Sequence, residues 1–189
     1  MTAISIIGGG NMAQAIGGVL SAGGGTVEYL GRAGGDVTGE IVVLAVPYAS
    51  IDQVIATYGE ALRGKIVIDI TNPINFETFD GFLVPADSSA AVTIAGKLPE
   101  SRVVKAFNTT FAATLAAKTV GGQKTTVLLA GDDADAKNTV ETLISTAGLA
   151  VADIGALKRA RELEAFAFLQ ISLASAERIT WNGGFALLS

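Results

Sequence analysis

A doubly wound α/β fold, with a mainly parallel sheet and a helical cap at its C-terminal end, is predicted by three features of this 189-residue sequence. Short runs of Ile, Val and Leu alternate with stretches of helical spacing. The first of these runs leads straight into a glycine-rich turn. The chain is 50% hydrophobic but only 6% aromatic, so its apolar residues are mostly aliphatic. Strands covered on both faces by crossover helices have this composition, because neither face meets water.

The elements follow in order. Residues 4–7 (ISII) form the first strand, and a helix is expected over 11–21 after the turn. The glycines at 23–25 stop that helix, and 26–30 reads as a second strand. Residues 33–39 carry three glycines and no apolar periodicity, so the usual helix between strands two and three is expected to be missing. A buried third strand spans 40–46 and ends at Pro47, and 49–62 has helical spacing at Ile51, Val54, Ile55 and Tyr58. Strands are expected at 65–70, 102–107 and 125–130, with an edge strand at 149–154. Asp87 or Ser88 is expected to cap a helix running to Lys97, and Asp132 or Asp133 one running to Thr146. One long helix is expected over 157–181, broken by Asn182, Gly183 and Gly184. This gives one domain over 1–189, with sheet and crossovers in 1–155 and a C-terminal helix and tail in 156–189.

Composition excludes several classes of function. A net charge of −5 leaves no basic patch to release counterions from phosphates, which argues against a nucleic-acid partner. The chain has no cysteine, which removes disulfides, thiol nucleophiles and thiolate metal sites. It also has no histidine, the commonest general base and metal ligand, and no metal is expected. The apolar run at 3–7 is too short for a signal peptide, and Glu164 and Gln170 interrupt the apolar stretch at 163–176. A cytoplasmic protein away from membranes is therefore expected.

The glycine turn carries the functional signal. Gly8-x-Gly10-x-x-Ala13 between a strand and a helix is the dinucleotide-binding arrangement of a Rossmann-type fold. Gly8 permits the tight turn, Gly10 lets the backbone approach a pyrophosphate, and Ala13 keeps helix and strand close. The phosphates would be held by backbone N–H groups and by the positive end of the helix dipole. At the end of strand two, NAD enzymes place an acid for the ribose 2′-OH, whereas this chain has Gly31-Arg32. A guanidinium there suits a 2′-phosphate, so NADP (NADPH) is the expected cofactor. Glu28 lies at the spacing of the NAD acid but inside the strand rather than at its end.

Ligands of an open parallel sheet bind beyond the carboxyl ends of its strands. Those ends carry Ala45, Val46 and Pro47, then Asn72 with its neighbouring proline, then Asn108 and Thr109. Small polar groups and prolines suit a flat nicotinamide, although Asn-Pro and Val-Pro also serve as turn chemistry. No catalytic acid–base pair stands out. Asp69, within an apolar strand, reads as a paired core group, while Arg159, Arg161, Glu162 and Glu164 read as a surface ion-pair face. Hydride transfer between two conjugated rings needs orientation above all, and the cofactor carries the chemistry. Binding of NADP(H) without turnover, as in a redox sensor, has the same residues.

The segments GGGNMAQAIG, VVLAVPY, IVIDITNP, RVVKAFNT and NGGFALL together resemble the F420-dependent NADP oxidoreductases over nearly the whole chain. The resemblance implies hydride transfer between NADPH and a small-molecule acceptor, a deazaflavin (F420) or a flavin. It implies Gly8, Gly10, Asn11 and Met12 at the pyrophosphate, Arg32 at the 2′-phosphate, and Pro47, Asn108 and Thr109 near the nicotinamide. Archaeal members carry a histidine where this chain has Asn108. GGGNMAQAI also resembles pyrroline-5-carboxylate reductases, but those continue into a long all-helical domain where this chain has one long helix. That helix and the tail around Phe185 are expected to complete the pocket or form a homodimer contact.

Overall fold

A computed structural model describes residues 1–31 and 34–188. β1 (Thr2–Ile7) leads through the glycine turn to α1 (Asn11–Ala22), which returns the chain to β2 (Gly25–Leu30), parallel to β1. β3 (Ile41–Leu44) pairs with the other side of β1, so the order of strands reverses there. α2 (Ile51–Tyr58), β4 (Ile66–Asp69), α3 (Ala90–Lys97) and β5 (Arg102–Ala106) extend the parallel sheet outward. After α4 (Ala112–Ala117), a small hairpin of β6 (Thr119–Val120) and β7 (Gln123–Lys124) turns on Gly121 and Gly122, both at positive φ. β8 (Thr126–Gly131), α5 (Ala134–Thr146), β9 (Ala150–Asp153) and α6 (Ala160–Ser175) complete the order. The main sheet runs β2-β1-β3-β4-β5-β8-β9, with every pair parallel except β5 and β8. This is the Rossmann-like α/β architecture, with α6 as its C-terminal helix.

The period of two along each strand divides the core into two layers. Ile41 and Val43 face a layer shared with Ile16 and Leu20 of α1 and Val140 and Ile144 of α5. Val42 and Leu44 face the other, with Ile51 and Val54 of α2 and Ile94 of α3. Strands covered on both faces need apolar residues at consecutive positions, and β3 reads IVVL, all buried.

No helix lies between strands two and three among the described residues 34–40, in line with the three glycines of that stretch. A side-chain network holds the link instead. Glu28 accepts from Ser5 Oγ at 2.5 Å and from Thr38 N–H and Oγ1 at 3.1 and 2.7 Å, while Ser5 Oγ accepts from Gly39 N–H at 2.8 Å.

Three expectations need correction. Neither Asp87 nor Ser88 caps α3: Ser88 closes a turn onto the Pro85 carbonyl, and Ser89 Oγ accepts from Val92 N–H at 3.1 Å. Strand three is also shorter than 40–46: it spans Ile41–Leu44, and Ala45 beyond it packs against Gly8 of the glycine turn. The last helix does not run over 157–181. A 3₁₀ turn (Leu157–Arg159) precedes α6, which ends at Ser175. Glu177 takes φ +57° and donates to the Ala174 carbonyl, while Arg178 N–H reaches Leu173 O at 2.8 Å. This is a Schellman closure with glutamate in the left-handed position where glycine is usual.

Candidate functional site

The glycine turn is fixed by contacts that only glycine can make at one of its positions. Gly8 has φ +131°, and a Cβ there would lie 2.1 Å from the Ala45 carbonyl oxygen. Gly8 N–H donates to Leu30 O at 3.0 Å and Ala45 N–H to Ile7 O at 2.9 Å, joining the ends of β1, β2 and β3. Gly9 and Gly10 differ: a Cβ on either would meet nothing within 4 Å. Gly10 is the N-cap of α1, whose first turn has no capping side chain and no acid. Asn11 is exposed there, Met12 half-buried, and Ala13 buried in the core. The arrangement fits a pyrophosphate, because unpaired N–H groups and the helix dipole stand beside glycines that leave room for it.

β1, β3, β4 and β5 are parallel neighbours, so the loops after them emerge side by side at one edge. Ala45, Val46 and Pro47 follow β3 and are half-buried or exposed, Asn72 follows β4 half-buried, and Asn108 and Thr109 follow β5 buried. Arg32 lies outside the described residues. Phe107, fully buried, turns the chain at the end of β5 with φ +64°, a conformation costing a bulky residue about 1–3 kcal/mol. Thr110 secures this turn by donating twice to the Phe107 carbonyl, from N–H at 3.2 Å and Oγ1 at 2.8 Å.

Asn108 Nδ2 donates to Asn72 Oδ1 at 3.0 Å and to the Leu163 carbonyl of α6 at 3.1 Å. Among the described residues, the buried side-chain polar atoms without a partner are Thr71 Oγ1, Asn108 Oδ1 and Thr109 Oγ1. All three follow the carboxyl end of β4 or β5. A buried orphan of this kind costs about 1–3 kcal/mol, and three together fit a site completed by a polar ligand such as a carboxamide.

Beneath these loops lies a buried charge cluster that sequence reasoning missed. Asp69 of β4 and Lys105 of β5 face each other across the ladder, both fully buried, with Nζ 2.9 Å from Oδ2. The same Nζ lies 2.9 Å from Oε1 of Glu164 on α6 and also donates to the Thr71 carbonyl. Glu164 further accepts from the N–H groups of Ala90 and Ala91 at the start of α3, at 2.9 and 3.3 Å. Burial pushes its carboxyl up from the ordinary value, and the charge of Lys105 opposes that rise.

Asp69 is thus the paired core group expected, whereas Glu164 does not belong to the surface face with Arg159, Arg161 and Glu162. Those three do pair at the surface, at 3.6 and 3.5 Å. The available signal was a lysine inside the apolar run VVKAF, opposite the only charged residue of β4.

α6 is tied to the β5 loop again by Gln170, whose Nε2 donates to the Thr109 carbonyl at 3.2 Å. The tail packs on α6 through Phe185 against Phe166 at 5.1 Å and on the start of α4 through Trp181 against Phe111 at 5.0 Å. Cavities of about 440 and 400 Å³ lie elsewhere, the second at the amino ends of the strands beside Thr2, Lys65 and Arg102. Neither touches the glycine turn or the carboxyl-end loops.

The fold and its ligand edge define a Rossmann-like α/β protein with a glycine-rich first turn. Residues 32–73 match the family model for coenzyme F420-dependent NADP oxidoreductases. The chain is 33% identical over 155 residues to the F420-dependent NADP reductase of Methanothermobacter marburgensis, covering 78% of this chain and 68% of that one. It belongs to the F420-dependent NADP oxidoreductase family. The same-named enzyme of Methanocaldococcus jannaschii is 33% identical over 139 residues, which cover 71% of this chain and 62% of the relative. Rat metalloreductase STEAP3 is 34% identical over 129 residues, 67% of this chain but 24% of the relative's length. The chain therefore spans only part of these last two relatives.

Among solved structures, a provisionally assigned F420-dependent NADP-reductase from Arthrobacter sp. FB24 superposes with a TM-score of 0.86 at 27% identity, covering 100% of both chains. A pyrroline-5-carboxylate reductase from Coxiella burnetii matches at 22% identity and a TM-score of 0.56, over 95% of this chain and 73% of that one. That likeness is one of fold alone.

Proposed function

We propose that this chain is an NADPH-preferring oxidoreductase that passes a hydride between the nicotinamide and a flat small-molecule acceptor, the deazaflavin F420 or a flavin. The observation that carries this reading is the alignment, along one edge of the sheet, of an open glycine turn with the orphaned atoms of Thr71, Asn108 and Thr109. Gly8, Gly10, Asn11 and Met12 would hold the pyrophosphate, with Ala13 keeping α1 against the sheet. Ala45, Val46 and Pro47 would border the nicotinamide on one side, and Asn72, Asn108 and Thr109 would supply its polar contacts. When bound, NADPH supplies the hydride; the protein orients the ring, excludes water and leaves one face open to the acceptor.

The preference for NADPH rests on Arg32 and is supported by the state of Glu28. The Glu28 carboxylate already accepts three hydrogen bonds from Ser5 and Thr38, which hold it below the usual carboxylate range. It is engaged in securing the β2–β3 link rather than poised for a ribose hydroxyl.

Fluorescence titration with NADPH and NADH tests the assignment. Arg32→Ala is expected to weaken NADPH by roughly tenfold or more while leaving NADH nearly unchanged, the loss of a charge-assisted phosphate contact being worth about 1.5–3 kcal/mol. Equal losses for the two nucleotides would contradict the role of Arg32. Tight NADPH binding without turnover by any deazaflavin or flavin would favour a redox sensor instead.

A further inference from the structure

We infer that the buried Lys105–Asp69–Glu164 cluster acts as an electrostatic support for the nicotinamide site, favouring the oxidised, positively charged ring over the reduced one. This rests on the reading of the strand-end loops as that site. The cluster sets one lysine against two carboxyl groups, all buried, and with both carboxyls ionised it carries one net negative charge. The N–H groups of Ala90 and Ala91 offset part of it. Buried charges that served packing alone would be expected to balance, because desolvating an unmatched carboxylate is costly.

The cluster is bonded directly to the site loops. Lys105 donates to the carbonyl of Thr71, whose own Oγ1 is orphaned. Glu164 follows Leu163, whose carbonyl holds the Asn108 amide. Asp69 Oδ1 accepts from Thr71 N–H at 2.8 Å. The charge therefore sits directly behind the loop at Thr71 and one residue along α6 from the carbonyl that holds Asn108, in an interior where it is little screened.

When bound NADPH gives up a hydride, its dihydronicotinamide would become a nicotinamide ring with one positive charge, and the acceptor would take up the hydride. A fixed negative charge behind the ring stabilises the charged form and makes bound NADPH the stronger donor. Lys105, Asp69 and Glu164 touch neither nucleotide nor acceptor in this account; they act through Thr71 and Asn108, as positioning residues.

The test is the ratio of the dissociation constants for NADP⁺ and NADPH, measured by titration at about pH 8, above the ordinary carboxylate range. Glu164→Gln removes the net charge and retains a carbonyl acceptor. It is expected to weaken NADP⁺ relative to NADPH by roughly tenfold, raising the midpoint potential of the bound couple by about 30 mV. Asp69→Asn, on a different element, is expected to move the ratio the same way, with the thermal midpoint of each variant followed in parallel. A purely structural role would lower both affinities together, and that result, or an unchanged ratio in both variants, overturns the inference. If the wild type binds neither form, the site assignment itself fails, a different outcome from a wild type that binds both with a ratio the variants leave untouched.

Discussion

Gly8 and Gly10 stand two residues apart in one turn and face opposite constraints. A side chain at Gly8 would drive into the Ala45 carbonyl from a positive φ, so Gly8→Ala is expected to cost roughly 2–4 kcal/mol in denaturant unfolding. At Gly10, φ is −75° and a Cβ meets nothing, so Gly10→Val is expected to leave stability within about 1 kcal/mol. Its effect should fall on NADPH affinity, because the added methyls occupy the space assigned to the pyrophosphate. Loss of stability without loss of affinity at Gly10 would mean that the turn is structural only.

The glycine spacing made this turn legible in the sequence, since backbone constraints leave a direct mark on residue choice. Lys105 and Glu164 were less legible. Lys105 was conspicuous in its apolar strand, but its partners depend on strand register and on which face α6 buries. Neighbouring Arg161 and Glu162, both at the surface, gave Glu164 the look of one more solvent-facing charge.

At the level of elements, the crossovers and strand ends followed from apolar runs and turn residues, while the helix ends depended on geometry that the sequence barely marks. α6 closes on Glu177, a residue with no intrinsic preference for the left-handed conformation it adopts. Glu177→Gly relieves that conformation and is expected to stabilise the protein by up to about 1 kcal/mol, read as an upward shift of the thermal midpoint. A destabilised variant would contradict the assigned closure.

The link between β2 and β3 depends on Glu28, whose pKa is lowered by its hydrogen bonds to Ser5 and Thr38. A depressed carboxylate contributes stability above its unfolded pKa and loses it as the pH falls through the folded value. The thermal midpoint of the wild type should therefore fall more steeply below about pH 4.5 than that of Glu28→Gln. Parallel profiles would show that the network adds nothing to the fold. The reversed strand β8 was not legible either, because α4 and the β6–β7 hairpin redirect the chain through local turns whose outcome no periodicity records.

For the molecule as a whole, topology explains why the site lies where it does. The order of strands reverses at β1, and the four parallel strands β1, β3, β4 and β5 bring their carboxyl ends to one edge. α6 closes the arrangement from the far end of the chain, through Leu163 to Asn108, Glu164 to Lys105 and Gln170 to Thr109. Leu169, Trp181, Phe185, Leu187 and Leu188 remain exposed along α6 and the tail. No described helix is long and apolar enough to cross a membrane.

Hydride transfer at that edge is tested most directly by anaerobic mixing of the NADPH-bound protein with oxidised F420 or a flavin. NADPH is expected to be oxidised in step with reduction of the acceptor, one for one, with NADH supporting the reaction far less well. NADPH that binds tightly but passes no hydride to either acceptor would contradict it.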